Sequence, residues 1–339
     1  MIKMNKIKNI ILFGGSRICA ELAVKLKKSK DYDVNIFTCQ RQINEKIYLD
    51  GKTLATVLRE HSIKFISTED INSEKKLIPL ITNQTLGIGL GEPWSFSKSI
   101  IKKFEGRLVD LMGVRLPQYR GGAHYTWQIL RKNKIGACNI QIVNEETKQG
   151  IFDSGEIIKT KEYFFPPSAR TPSDYFDFAV KKELDFIYEF LDDINNKKEL
   201  PRNNLQESFS IYFPRLSTEK QGYIDWKWDT PEIENFICGF DEPYTGAMTF
   251  IQKEKVYLKD CYSEFNDGPF HPFQSGIIYK INNNSAYIAT KSGTLIVGKI
   301  LNNKNINIIS NLNLGIRLYT PYKYLEESML HSTEYSPNN

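Results

Sequence analysis

One stretch of this 339-residue chain gathers groups suited to binding and proton chemistry: Asp110-Leu-Met112-Gly-Val-Arg115-Leu116-Pro117-Gln-Tyr119-Arg120-Gly121-Gly122-Ala-His124. Arg115 and Arg120 carry forked guanidinium groups that suit a pyrophosphate, although Arg120 equally suits bracing the loop. Tyr119 offers a ring and a hydroxyl, and Gly121 and Gly122 let the backbone come close to a ligand. Asp110 supplies a carboxylate, whereas the Met112 thioether has no proton to give. His124, on the same loop, is the candidate for moving a proton; a simply solvated histidine is the plainer alternative. Upstream, Leu90-Gly91-Glu-Pro-Trp94 follows an apolar run directly. There Gly91 permits close approach of a ligand, and Trp94 either lines a flat pocket or packs under the next helix. Downstream, Gly150-Ile151-Phe-Asp153-Ser-Gly155 sets a carboxylate in a tight turn, which by itself is an Asx turn. Phe13-Gly14-Gly15-Ser16 looks like the start of a phosphate turn, lacks the GxGxxG spacing, and reads first as a structural turn.

The elements that must position these groups alternate. The sequence predicts strands at 8–13, 33–38, 86–90, 108–112 and 139–143, and helices at 18–28, 53–61 and 95–104. Ile18, Leu22 and Leu26 fall on one helical face. Strand–helix–strand order with glycine turns predicts an α/β domain with a doubly wound, mostly parallel sheet, whose ligands bind at the carboxyl ends of the strands. A helix at 174–191 carries Val180, Leu184, Ile187 and Leu191 on one stripe. The first domain is therefore expected over 1–194, with a polar linker over 195–213. Five short strands between 248 and 300 predict a small C-terminal OB-like β-barrel over 214–331, and 332–339 reads as a frayed tail.

Composition narrows the function. The formal charge is +5, and the basic runs are short and interleaved with acids, so a nucleic-acid stripe is not expected. The five cysteines are scattered and form no CxxC pair. They read as reduced core residues with no metal site. No apolar stretch is long enough for a membrane span, and no signal-peptide core precedes the first strand; a cytoplasmic location is expected.

Together these motifs resemble the folate-dependent formyltransferase family, which includes methionyl-tRNA formyltransferase, glycinamide ribonucleotide formyltransferase and the sugar-nucleotide N-formyltransferases. The family pattern is a strand reading Asn-x-His, then Leu-Pro, Tyr-Arg-Gly and a later Asp-x-Gly. This chain reads Asp110-Leu-Met112, Leu116-Pro117, Tyr119-Arg120-Gly121 and Asp153-Ser-Gly155. Tyr223-Ile-Asp225-Trp226 and Phe236-Ile-Cys-Gly-Phe240-Asp-Glu-Pro243 resemble the entry to the C-terminal barrel of the tRNA enzyme. The resemblance implies N10-formyltetrahydrofolate as donor, with the pterin against Leu90, Gly91, Trp94, Leu116, Pro117 and Ile151. It implies an Asn that holds the oxyanion, a His that moves the proton, and an Asp that holds the His.

Here Asp110 and Met112 occupy the Asn and His positions, and only Asp153 is kept. Losing an oxyanion donor costs ~10²–10³ in rate and losing a general base ~10²–10⁴, so the family reaction is expected to be very slow or absent. An Asp110 carboxyl could donate only if protonated, which burial would favour. The compact, mixed-charge stretch 39–51 favours a nucleotide-linked amino sugar over tRNA as acceptor. Alternatives are a folate- or nucleotide-sugar-binding pseudoenzyme, a methionyl-tRNA formyltransferase-like activity, or another acyl or one-carbon transfer. The C-terminal barrel also suits the contacts of a homodimer.

Overall fold

The computed structural model describes residues 4, 6–48, 50–144 and 155–333. Apolar runs and amphipathic stretches alternate as expected through β1 (Asn9–Gly14), α1 (Arg17–Ser29), β2 (Asp33–Thr38), α2 (Gln40–Ile43), α3 (Leu54–Glu60), β3 (Ile66–Ser67), β4 (Thr85–Leu90), α4 (Lys98–Phe104) and β5 (Leu108–Met112). The strands lie in the order β3-β2-β1-β4-β5, all parallel. The winding reverses between β1 and β4, and the carboxyl ends of the strands at such a switch are where ligands of doubly wound sheets bind.

The sheet continues through β6 (Arg120–Gly121, outside the main sheet), α5 (His124–Leu130), β7 (Ile135–Ile142), β8 (Ile157–Phe164) and α6 (Pro172–Asn195). β7 is antiparallel to β5, and β8 to β7, which makes a mixed seven-stranded sheet. Two elements depart from the sequence expectation. β8 buries only its first two residues in full; as a charged edge strand it shows no apolar run. His124 begins a helix instead of lying in a loop, because α5 is short and its N-cap, Ala123, offers no capping side chain.

Strand alternation sorts the core. Ile10, Leu12, Ile88, Val109 and Leu111 pack with Val180, Leu184 and Ile187 of α6. Ile11, Phe13, Phe37 and Leu108 pack with Ile100 and Phe104 of α4 on the other face. Asp110 and Met112, two and four residues after Leu108, belong to the α4 face.

After α6 come β9 (Tyr212–Phe213), α7 (Thr218–Gln221), α8 (Thr230–Gly239), β10 (Ala247–Ile251), β11 (Glu254–Glu264), β12 (Ile278–Asn282), β13 (Ser285–Thr290), β14 (Gly293–Leu301), β15 (Leu318–Tyr319) and α9 (Tyr322–Leu330). Six strands, one more than expected, form an antiparallel half-barrel in the order β12-β13-β14-β11-β10-β15. The sixth, β15, is two residues long, too short to show a period. The outer strands meet again where Ile278 N donates to Ile316 O (2.8 Å) and Leu318 N to Gly276 O (2.8 Å). α8 closes this core with Ile233, Phe236 and Ile237. All five cysteines are buried and free. Among the described residues there is no cluster of metal ligands and no helix long and apolar enough to cross a membrane.

Candidate active site

The crevice at the ends of β1, β4 and β5 is shaped by missing side chains. A Cβ on Gly14, whose φ is +125°, would meet Leu90 O at 2.5 Å, and one on Gly15 would meet Gln42 Cβ at 2.4 Å. Gln42 is buried there and donates from Nε2 to Gly91 O (2.7 Å). The Gly14-Gly15-Ser16 turn is thus closed by Gln42 and by Ser16 Oγ, which donates to Leu90 O (3.5 Å). Gly91, at φ +75°, faces open space, so the crevice is accessible on its side.

At the centre stand two carboxyls. Asp110, on β5, is in register with Gly89 of β4 and Gln141 of β7. A Cβ on Gly89 would lie 1.8 Å from Asp110 Oδ1 and 2.6 Å from Glu92 Oε2. Only glycine at 89 lets both carboxyls fold over β4, where they lie side by side. Burial, and then the neighbouring Asp110 carboxyl, hold the Glu92 carboxyl well above the usual range. Glu92 passed unnoticed in the sequence. Its signal was the pair of glycines, Gly87 and Gly89, in a strand that ends two residues before a Glu.

A second carboxylate was also missed. Glu183 of α6 is buried and reaches Gly113, where a Cβ would meet Glu183 Oε1 at 2.0 Å. Burial pushes its carboxyl up to about 7. The signal lay in the helix pattern, since Glu183 falls beside Ala179, Val180, Leu184 and Ile187 on the buried stripe. His124 lies at the start of α5, its Nδ1 buried without a hydrogen-bond partner among the described residues, and burial lowers its pKa to about 4. It is neutral at pH 7.

The other sequence candidates have these positions. Leu90 is buried in the core beside α6. Trp94 packs against the α4-side core and donates from Nε1 to Glu69 O (3.1 Å). Met112 and Leu116 are half-buried and Pro117 is buried. Arg115 Nε pairs with Glu162 (2.7 Å). Tyr119 is buried, stacks on Phe213 with centroids 5.0 Å apart, and accepts from Asn133 Nδ2 (2.5 Å). Arg120 grips Glu207 through both terminal nitrogens, at 2.5 and 2.9 Å. A Cβ on Gly121, at φ +107°, would meet Phe213 O at 1.9 Å, and one on Gly122 would meet Arg215 Cγ at 2.5 Å. β6 pairs with β9 in parallel. Arg120, Gly121 and Gly122 are therefore all engaged by the segment 207–215. Ile151 and Asp153 lie outside the described residues.

The arrangement brings together two neighbouring carboxyls, the thioether of Met112 on the same face of β5 and open space beside Gly91, groups suited to moving protons at a small substrate. Comparison with known proteins agrees on the scaffold. Residues 216–315 match the family profile of the formyl transferase C-terminal domain. A methionyl-tRNA formyltransferase of Malacoplasma penetrans is 25% identical over 333 residues, covering 92% of this chain and 96% of the relative. The structure of WlaRD, a sugar 3N-formyl transferase solved with dTDP and 5-N-formyl-THF, superposes with a TM-score of 0.61 at 18% identity, over 88% of this chain and 99% of that one. The N-formyltransferase of Helicobacter canadensis, in complex with folinic acid and dTDP-3-aminofucose, does so with a TM-score of 0.61 at 17% identity, over 87% and 99%.

Proposed function

With the folate-dependent formyltransferases as the chain's family, we propose that it binds N10-formyltetrahydrofolate and passes the formyl group to the amine of a nucleotide-linked amino sugar. Asp110 and Met112 stand where the family places Asn and His, so the catalytic set is altered. The observation that carries the reading is the pair of carboxyls, Asp110 and Glu92, brought together over Gly89 at the carboxyl ends of β4 and β5, beside Gly91, which faces open space. A sugar nucleotide is favoured over tRNA by the stretch after β2. Residues 39–48 and 50–53 form α2 and a tight return, with Lys46 bridged to Thr53, and among the described residues no long basic loop extends from it. The two sugar formyltransferases with bound nucleotide and folate compounds support the same choice.

A second reading, a pseudoenzyme that binds these ligands without turnover, is favoured by Met112, which has no proton to exchange. Calorimetric titration with folinic acid and dTDP-amino sugars, followed by a transfer assay with N10-formyltetrahydrofolate, separates the two. Binding of both ligands with formylated product supports transfer. Binding without product supports the pseudoenzyme, and silence toward folinic acid removes the donor from both readings.

A further inference from the structure

We propose that Glu92 and Asp110 act together as a one-proton carboxyl pair that supplies both the acid and the base of acyl transfer. The proposal rests on the formyl-transfer reading above. Three observations place the pair. Glu92 comes from the β4–α4 turn and Asp110 from β5, so the pair lies at the carboxyl ends of the strands where ligands of such sheets bind. Gly89 leaves the space that both carboxyls occupy, with Asp110 Oδ1 and Glu92 Oε2 1.8 and 2.6 Å from where a Cβ would stand. The two carboxyls therefore lie side by side over Gly89, where two ionised carboxylates would repel each other; one shared proton relieves that repulsion.

The surroundings keep that proton in place. On this face β4 offers Thr85, Gly87 and Gly89, β7 offers the amide of Gln141, and α4 offers Ile100 and Phe104. Among the described residues, the charge that bears on Glu92 is the Asp110 carboxyl. The nearest arginines in sequence have partners of their own, Arg107 with Glu105 and the carbonyls of Thr85 and Thr82, and Arg115 with Glu162.

The chemistry closes with this one proton. The amine nitrogen bonds to the formyl carbon, and the carbonyl electron pair moves onto oxygen. The protonated carboxyl, which burial assigns to Glu92, donates a hydrogen bond to that oxyanion. The ionised partner, Asp110, takes a proton from the newly attached ammonium. The carbon–N10 bond then breaks with its electrons on N10, which receives the Glu92 proton as the carbonyl re-forms. The formamide and tetrahydrofolate leave, and the pair again holds one proton, now on Asp110, from which it passes across the hydrogen bond.

The test uses the full chain and the near-isosteric variants E92Q, D110N and E92Q/D110N. Single-turnover formyl transfer from N10-formyltetrahydrofolate to dTDP-3-aminofucose and to hydroxylamine is measured beside folinic-acid affinity. The infrared band of protonated carboxyl groups at neutral pH is recorded in an E183Q background, which removes the other raised carboxyl. Each single variant is expected to transfer about 10²–10³-fold more slowly with unchanged folinic-acid affinity. The double variant should be no slower than either single, as for groups that act as a unit. The infrared band should vanish in E92Q. Wild-type rates in either single variant, losses that multiply in the double variant, or a band indifferent to both substitutions would overturn the pair. Folinic-acid binding without transfer by the wild type would also overturn it. Failure of the wild type to bind folinic acid would instead sink the underlying donor assignment, and the infrared band would still decide the proton-sharing.

Discussion

Two glycine-bearing regions looked alike as candidate ligand loops, and they serve different ends. In the cleft, Gly89 makes room for the carboxyls of Asp110 and Glu92, and Gly91 faces open space. In the 119–122 segment, Gly121 and Gly122 make room for the backbone and side chains of residues 213–215, while Arg120 and Tyr119 hold Glu207 and Phe213. A glycine marks close approach in both places. What approaches decides whether the place is a site or a joint, and that is a tertiary fact.

The sharpest way to break the contrast is G89A. Its methyl would enter the space of both carboxyls, so the variant should lose about 1–3 kcal/mol of stability. If the pair takes part in transfer, turnover should fall by about 10²-fold or more as well. Denaturant unfolding and a single-turnover assay read the two losses; an unperturbed protein would mean that the carboxyls are not packed over β4.

E183Q comes next, because Glu183 borders the same strand end. Its folded pKa, about 7, lies above the unfolded carboxylate value. The folded state therefore binds the extra proton between about pH 4.5 and 7, and stability falls as pH rises through that window. E183Q should remove the slope and stabilise the protein by up to about 3 kcal/mol above pH 7. His124 works in the opposite sense. Its pKa is depressed to about 4, so its contribution is lost as pH falls from about 6.5 toward 4. Stability curves of wild type and E183Q across pH 4–8 check both signs.

On the joint, G121A is expected to cost ~2 kcal/mol from a left-handed φ and a clash with Phe213 O, with folinic-acid affinity unchanged. A loss of affinity would restore the segment to the site. R120A should be the mildest change. Glu207 is largely exposed, so deleting its partner should cost about 1 kcal/mol or less, measured by the unfolding midpoint, and should leave dTDP-sugar binding intact.

Much of the architecture was legible because burial writes periodicity into sequence. The strands at 9–14, 33–38, 85–90 and 108–112 and the helix α1 follow directly from their apolar patterns. A strand was legible after the Asp153 turn, but the extent of β8 to Phe164 was not, since an edge strand of alternating Lys, Thr and Glu has little to bury. β15 and the β6–β9 pair were too short to carry a period. Of the site, the position of Asp110 at a strand end was readable from the run Leu108–Met112. Its partner was not, because Glu92 and Asp110 are 18 residues apart and meet only once β4 and β5 align. Glu183 was readable in principle as an acid on an apolar helical stripe. Whether Arg120 meets a pyrophosphate or Glu207 depends on a segment 87 residues away, and no local pattern encodes that choice.

The joint has one consequence for how the chain withstands cutting. Residues 201–204 are exposed, Asn203 exchanges backbone hydrogen bonds with Ile157, and beyond them Glu207 and the Tyr212–Phe213 strand are tied to 120–121. A protease that severs the peptide after Asn204 would leave each new end moored to the N-terminal half. The covalent thread could be lost while the two fragments still travel as one particle through a sizing column and separate only in denaturant.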